Sequence, residues 1–197
     1  YDISLGLVGS EMCIRDRHNL RNALAAIASA IAAGAPLDVA VRALAGFSPV
    51  AGRMQYKKLS DGTLLIDDTY NANPDSVRVA IDVLARIGGT RVLVLGDMGE
   101  VGDNGPAMHV EVGNYAREQG LDALITLGEA SRAAATAYGS GAHACASVDE
   151  VVAALRGLRA SCVLIKGSRF MRMERVVTAF TSTDGQVSKG QGDHHAA

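Results

Sequence analysis

At 197 residues, 48% of them hydrophobic, and with a formal net charge of −2, the chain is long enough to bury a core. It is too nearly neutral to hold nucleic acid by bulk positive charge. It has no tryptophan and few aromatic residues, which excludes stacking platforms for single strands, and no apolar run long enough to span a bilayer. Cys13, Cys145 and Cys162 are too few and too scattered for a disulfide framework or a zinc site, and they fit a reducing cytosol.

Residues 1–17 show neither period nor cap. Their string SLGLVGSEMCIRDR resembles a translated sequencing adapter, so the stretch is set aside as an assembly artefact, with the natural N-terminal part expected to be missing. His18 to Gly34 is rich in Ala and Leu and predicts a helix, with Leu20, Ala23, Leu24, Ile27 and Ile31 on one face and Gly34 as its stop. Leu37 to Phe47 predicts a second helix. Ser48 to Arg53 is a loop, and Met54 to Leu65 has the pattern of a hairpin turning at Asp61-Gly62.

A regular alternation follows. Strands are predicted at 64–68, 91–95, 123–127, 142–146 and 162–165. Helices are predicted at 74–87, 107–119, 129–138, 148–159 and 170–180. Apolar strands alternating with helices predict an α/β fold, a mostly parallel sheet with helices on both faces. From about Thr181 the chain is small and polar and is expected to be a disordered tail, with His194-His195 in it and no metal site.

The chemistry gathers in the turns. Leu64-Leu65-Ile66-Asp67-Asp68 runs into Thr69-Tyr70-Asn71-Ala72-Asn73-Pro74, a strand, a polar turn and a helix with Asn73 as its cap. Ligands of open parallel sheets bind at such carboxyl ends. Adjacent Asp67 and Asp68 could hold a cation or a ribose, or be solvated acids of a capped turn. Lys166-Gly167-Ser168-Arg169 ends another strand and suits a carboxylate or phosphate, or is an ordinary turn with an exposed cation. Asp97 and Glu100 add carboxylates at the same edge. Arg53 is a phosphate contact or a surface charge. Asn19 and Asn22 share a helix face, either to meet a purine edge or to cap the helix. His109 reads as a surface or capping residue. No P-loop and no G-x-G-x-x-G follows a strand.

HNLRNALAA at 18–26, GR at 52–53, LIDDTYNANPDS at 65–76, VLGDMGEVG at 94–102 and KGSRFMRMERVV at 166–177 together resemble the Mur ligases, in the family's order over nearly all of 18–180. The resemblance implies a Rossmann-like C-terminal domain at 49–180. Before it, 18–48 would be the last helices of a truncated central ATPase domain, and 181–197 would be the tail. It implies an ATP-dependent amide-bond ligase of peptidoglycan precursor synthesis in the bacterial cytoplasm, monomeric when full length. The motifs at 65–76 and 166–177 point to the member that joins D-alanyl-D-alanine to UDP-N-acetylmuramoyl-tripeptide through an acyl phosphate. Carried over by position, Asn19 and Asn22 match adenine-site amides, and Arg53 and Asp68 match the arginine and aspartate brought to the nucleotide as catalytic groups. Asp67, Tyr70, Asn71 and Asn73 match the place where dipeptide meets acyl phosphate, and Lys166, Ser168 and Arg169 the dipeptide's carboxylate. Mg2+ ligands and the P-loop are expected upstream, so this fragment alone should not turn over. A non-catalytic Rossmann-like binding module and another Mur ligase are the alternatives.

Overall fold

The structure, a computed structural model, describes residues 11–46, 50–99 and 101–182, with side chains from residue 22 onward except that of Asp103. It divides into two compact units, Tyr1–Pro49 and Val50–Ala197.

The first unit is a helix pair, α1 (Glu11–Ala32) and α2 (Leu37–Ala45). α1 ends as expected, with Gly34 at φ +92° and its N–H donating to the Ile31 carbonyl at 2.9 Å. It starts earlier than predicted, at Glu11, so residues 11–17, set aside above, are helical. A helix propagates easily once nucleated, and between Glu11 and His18 there is neither glycine nor proline to stop it. Ala23 and Ile27 are half-buried, but Leu24 and Ile31 of the predicted apolar face are exposed.

The second unit holds β1 (Gln55–Lys58), β2 (Leu64–Asp68), α3 (Pro74–Ala85), β3 (Arg91–Gly96), α4 (Gly105–Glu118), β4 (Ala123–Leu127), α5 (Arg132–Tyr138), β5 (Ala142–Cys145), α6 (Val148–Leu158), β6 (Cys162–Lys166) and α7 (Glu174–Ser182). Short 3-10 turns cover Gly102–Asn104 and Arg169–Met171. The six strands run in the order β1-β2-β6-β3-β4-β5, parallel except for the β1–β2 hairpin.

Alternate residues of each strand feed two cores. Ile66, Leu93, Leu95, Leu124 and Leu164 pack under α3, α4 and α5. Leu65, Val92, Val94, Ile125, Val163 and Ile165 pack under α6 and α7. All five residues of β6 are buried, as a central parallel strand requires. The predicted helix at 170–180 is broken: Arg172 takes φ +52° and α7 begins only at Glu174. This break lets Met173 turn inward to full burial. α5 starts at Arg132 instead of 129, and residues 183–197, with His194 and His195, lie outside the described residues.

α4 and α5 touch backbone to side-chain position at Gly113, where an added Cβ would meet the Ala134 carbonyl oxygen at 2.2 Å. At the opposite edge of the sheet from the polar turns, Arg91 N–H donates to Asp122 Oδ2 at 2.8 Å and its Nε to the same oxygen at 3.0 Å. The backbone bond above all holds the Asp122 carboxyl below its ordinary value of 3.8 against the cost of desolvation, with the side-chain bond and charge of Arg91 adding to it.

Gly113→Ala adds helix propensity worth about 1 kcal/mol. Overpacking against backbone costs about 1–3 kcal/mol and should win, lowering the urea midpoint; an unchanged or raised midpoint would show that α4 and α5 can part freely. A carboxylate depressed in the folded state adds stability above its unfolded pKa and loses it as pH falls through the folded one. Asp122→Asn should therefore lower the melting temperature at neutral pH and make it less steep in acid below about pH 4; parallel acid limbs for both proteins would count against this. Only Ala40 is buried among the first unit's described side chains. Amides of 22–32 should exchange far faster than those of 162–166, and comparable protection would contradict that reading.

Candidate functional site

The crossover from β2 through α3 to β3 passes over β6, which lies between them. α3 covers one face of the sheet, whereas β6 leads to α7 on the other. Chain therefore leaves neighbouring strands in opposite directions at β2/β6 and β6/β3. This is the topological switch at which open α/β sheets leave a crevice. The turns after β2, β3 and β6 meet there.

The β2 turn is built from its own side chains. Asn73 Oδ1 accepts from Ser76 N–H at 2.8 Å while Ser76 Oγ accepts from Asn73 N–H at 3.1 Å, with Pro74 in the first turn of α3. The cap uses the acceptor of Asn73, so that side chain shapes the turn and does not offer this oxygen to a ligand. Neighbouring strand residues face opposite ways, and the two acids accordingly diverge. Asp67 takes Thr69 Oγ1–H at 2.8 Å and Lys57 Nζ at 3.0 Å. Asp68 accepts Lys166 Nζ at 2.6 Å on one oxygen and Met54 N–H at 3.1 Å on the other. Of the readings open for this pair, neither a jointly held cation nor solvated turn acids describes it, because the carboxylates diverge onto separate partners and Asp67 is buried. No group of three His, Cys, Asp or Glu among the described residues is placed to bind a metal.

The bond to Met54 fixes the loop that carries Arg53. Tyr70 N–H donates to the Gly52 carbonyl at 2.9 Å, so the loop is tied on both sides of Arg53. Gly52 sits at φ +72°, and a Cβ there would meet Thr69 Oγ1 at 2.9 Å and Tyr70 N at 3.0 Å. Only glycine allows this approach. Arg53 projects from it, exposed, with its guanidinium carbon 4.2 Å from the Tyr70 ring centroid.

Lys166 and Ser168 differ from expectation. The Lys166 side chain is 4% exposed and donates to Asp68 and to the Asn71 carbonyl at 2.8 Å. Ser168 is buried, with its Oγ–H at 2.6 Å and its N–H at 3.0 Å both donating to the Asp97 carbonyl. Both residues join turns to one another; neither stands open as an anchor for an incoming carboxylate. Asp97 Oδ1 accepts Ser131 N–H at 2.7 Å at the start of α5. Gly99 N–H donates to the Ala72 carbonyl at 3.3 Å, closing the ring of turns.

His109 was expected at the surface or in a cap, and it is fully buried. A carbonyl can only accept and a backbone N–H only donate. Nδ1 therefore donates to the Gly105 carbonyl at 2.7 Å and Nε2 accepts from Met98 N–H at 3.0 Å. It thus holds the turn after β3. Gly105, Val112, Gly113 and Ala116 stand at helical spacing around it and are all buried; that periodicity was the signal available in the sequence.

Arg53, Tyr70 and Arg169 face outward at this edge, with Phe170 exposed next to Arg169 and Asn71 half-buried beside Tyr70. Arg169 lies with its guanidinium carbon 6.0 Å from the Tyr70 centroid and an exposed contact to Glu174 at 3.5 Å. Two unburied guanidiniums, with no nucleophile beside them among the described residues, suit oxyanions, whether phosphoryl or carboxylate. Asn22 is exposed on α1 in the other unit; the side chain of Asn19 and all of Glu100 lie outside the described residues.

The chain is similar to several known proteins. The family described as Mur ligase, glutamate ligase domain, matches residues 52–169. The UDP-N-acetylmuramoyl-tripeptide–D-alanyl-D-alanine ligase of Escherichia coli (strain K12) is 43% identical over 83% of this chain and 37% of its own length. The enzyme of the same name from Haemophilus influenzae is 41% identical over 81% of this chain and 36% of its own length. A crystal structure of MurF from Acinetobacter baumannii superposes with a TM-score of 0.74 at 34% identity, covering 84% of this chain and 37% of that one. The chain thus spans little more than a third of the length of these relatives. The family match begins at Gly52, which seats the Arg53 loop, and ends at Arg169, the second open guanidinium; the chain belongs to the Mur ligase family.

Proposed function

We propose that this chain is the C-terminal portion of an ATP-dependent ligase that joins D-alanyl-D-alanine to UDP-N-acetylmuramoyl-tripeptide, in bacterial peptidoglycan precursor synthesis in the cytoplasm. Residues 49–180 act as its C-terminal domain and 18–48 as the last helices of its ATP-binding domain. The identity to two ligases of that name supports the reading. The observation that carries it is the pair of exposed guanidiniums, Arg53 and Arg169, on one rigid carboxyl edge.

A carboxylate is a poor electrophile. Phosphoryl transfer from ATP gives the tripeptide's terminal carboxylate a leaving group. The dipeptide amine then attacks that carbonyl, and an amide, phosphate and ADP result. Such chemistry asks for fixed cations and dipoles more than for covalent help from the protein. Arg53 is suited to the phosphate oxygens and Arg169 to the dipeptide's carboxylate. Asn71 is half-buried beside them; its Oδ1 accepts Ala72 N–H at 2.9 Å and keeps a second lone pair to orient the incoming amine. Asp67, Asp68, Asn73, Lys166 and Ser168 hold the turns from which these groups project. The diverging Asp67 and Asp68 do not fit a resident Mg2+, whose ligands belong upstream with the P-loop. Asn19 and Asn22 remain assigned to the adenine side.

The burial of Asp68 decides which variant tests this. Removing one member of a buried ion pair leaves the other charge uncompensated, at a cost of about 3–5 kcal/mol. Asp68→Ala should therefore lose activity and stability together. Arg53 and Arg169 are exposed, so their alanine variants should melt within a few degrees of wild type. In the full-length protein, phosphate release from ATP with UDP-tripeptide should depend on D-alanyl-D-alanine. It should fall about 100-fold in Arg53→Ala, the scale of one lost transition-state donor. In Arg169→Ala it should show a raised KM for the dipeptide. Release indifferent to the dipeptide would refute the substrate assignment, and full activity in Arg53→Ala would refute the nucleotide role.

A further inference from the structure

Tyr70 is exposed, yet two cations converge on it. The Arg53 and Arg169 guanidinium carbons lie 4.2 and 6.0 Å from its ring centroid. Neither guanidinium has a strong anionic partner. Among the described residues Arg53 makes no ion pair, and the Glu174 contact to Arg169 is long and exposed. An aromatic face attracts a guanidinium by its quadrupole and by stacking within about 6 Å. The main chain that carries the ring is held from both sides. The Tyr70 backbone N–H donates to the Gly52 carbonyl, next to Arg53, and Lys166 draws the β6 turn that bears Arg169 onto the Asn71 carbonyl, next to Tyr70.

We propose that Tyr70 is a positioning residue whose ring sets Arg53 and Arg169 as a fixed pair of oxyanion receptors. The ring acts through the two arginines and not through its hydroxyl. Assigning phosphoryl to Arg53 and carboxylate to Arg169 rests on the ligase reading; the ring's role does not. The arrangement readies both guanidiniums before any substrate arrives, so that less side-chain entropy is lost on binding.

The test uses NMR on the 197-residue chain, wild type, Tyr70→Phe and Tyr70→Leu. The probes are inorganic pyrophosphate and D-alanyl-D-alanine, each titrated separately. Without any probe, the Arg53 side-chain methylenes should carry upfield ring-current shifts in wild type and Tyr70→Phe that vanish in Tyr70→Leu. Pyrophosphate should move the Arg53 Nε–H signal and the dipeptide that of Arg169. Tyr70→Phe should bind both like wild type, and Tyr70→Leu should weaken both by about threefold to fivefold. Equal binding by Tyr70→Leu, binding by Tyr70→Phe as weak as by Tyr70→Leu, no ring-current shift in wild type, or no response of either arginine to either probe would overturn the proposal. If pyrophosphate moves both arginines and the dipeptide neither, with the same dependence on the ring, Tyr70's role stands and the dipeptide assignment fails.

Discussion

The ion pair between Lys166 and Asp68 is the contact on which the edge of this sheet depends. It joins residues 98 positions apart, at 2.6 Å, with both side chains largely removed from water. A buried pair of this kind adds little net stability over apolar packing, because desolvation consumes much of the attraction. Its value is geometric. Neither charge tolerates being left alone, so β2 and β6 must end in register. The second oxygen of Asp68 and the second bond of Lys166 then place Met54 and Asn71. One pair thereby sets the loop before β1, the turn after β2 and the turn after β6.

The turn after β3 is locked by different means. Asp97 receives both donors of Ser168 on its carbonyl and reaches α5 with its carboxylate. His109 holds the next residue from beneath. The polar groups that were the natural candidates for ligand binding are mostly bonded to each other. The result is a stiff platform, and the groups left over are long, exposed and cationic. A site of this kind lends itself to reactions limited by placing charged substrates rather than by a protein nucleophile. It also assigns roles by depth: buried residues preserve the platform, and exposed ones meet substrate.

Much of the fold was legible in order along the chain. The strands at 64–68 and 123–127 have the predicted bounds, and Asn73-Pro74 caps α3 as its residue types indicate. These are local matters of apolar runs, caps and turn formers, which a sequence displays directly. Two differences are local too. The helix expected from His18 begins at Glu11, because nothing stops it, and the helix expected from 170 breaks at Arg172 so that Met173 can be buried.

The sequence by itself determined the α/β class, the order of its elements, the polar turns at one edge and, through its motifs, the family. It could not say which of those polar residues would remain free. Asp67, Asp68, Lys166, Ser168 and His109 have the same chemistry whether they face a ligand or one another. Only the strand order β1-β2-β6-β3, which inserts the last strand between two early ones, brings Lys166 to Asp68 and Ser168 to Asp97. Hydrogen-bonding partners that distant in the chain are chosen by the sheet, and with them the division between platform and site.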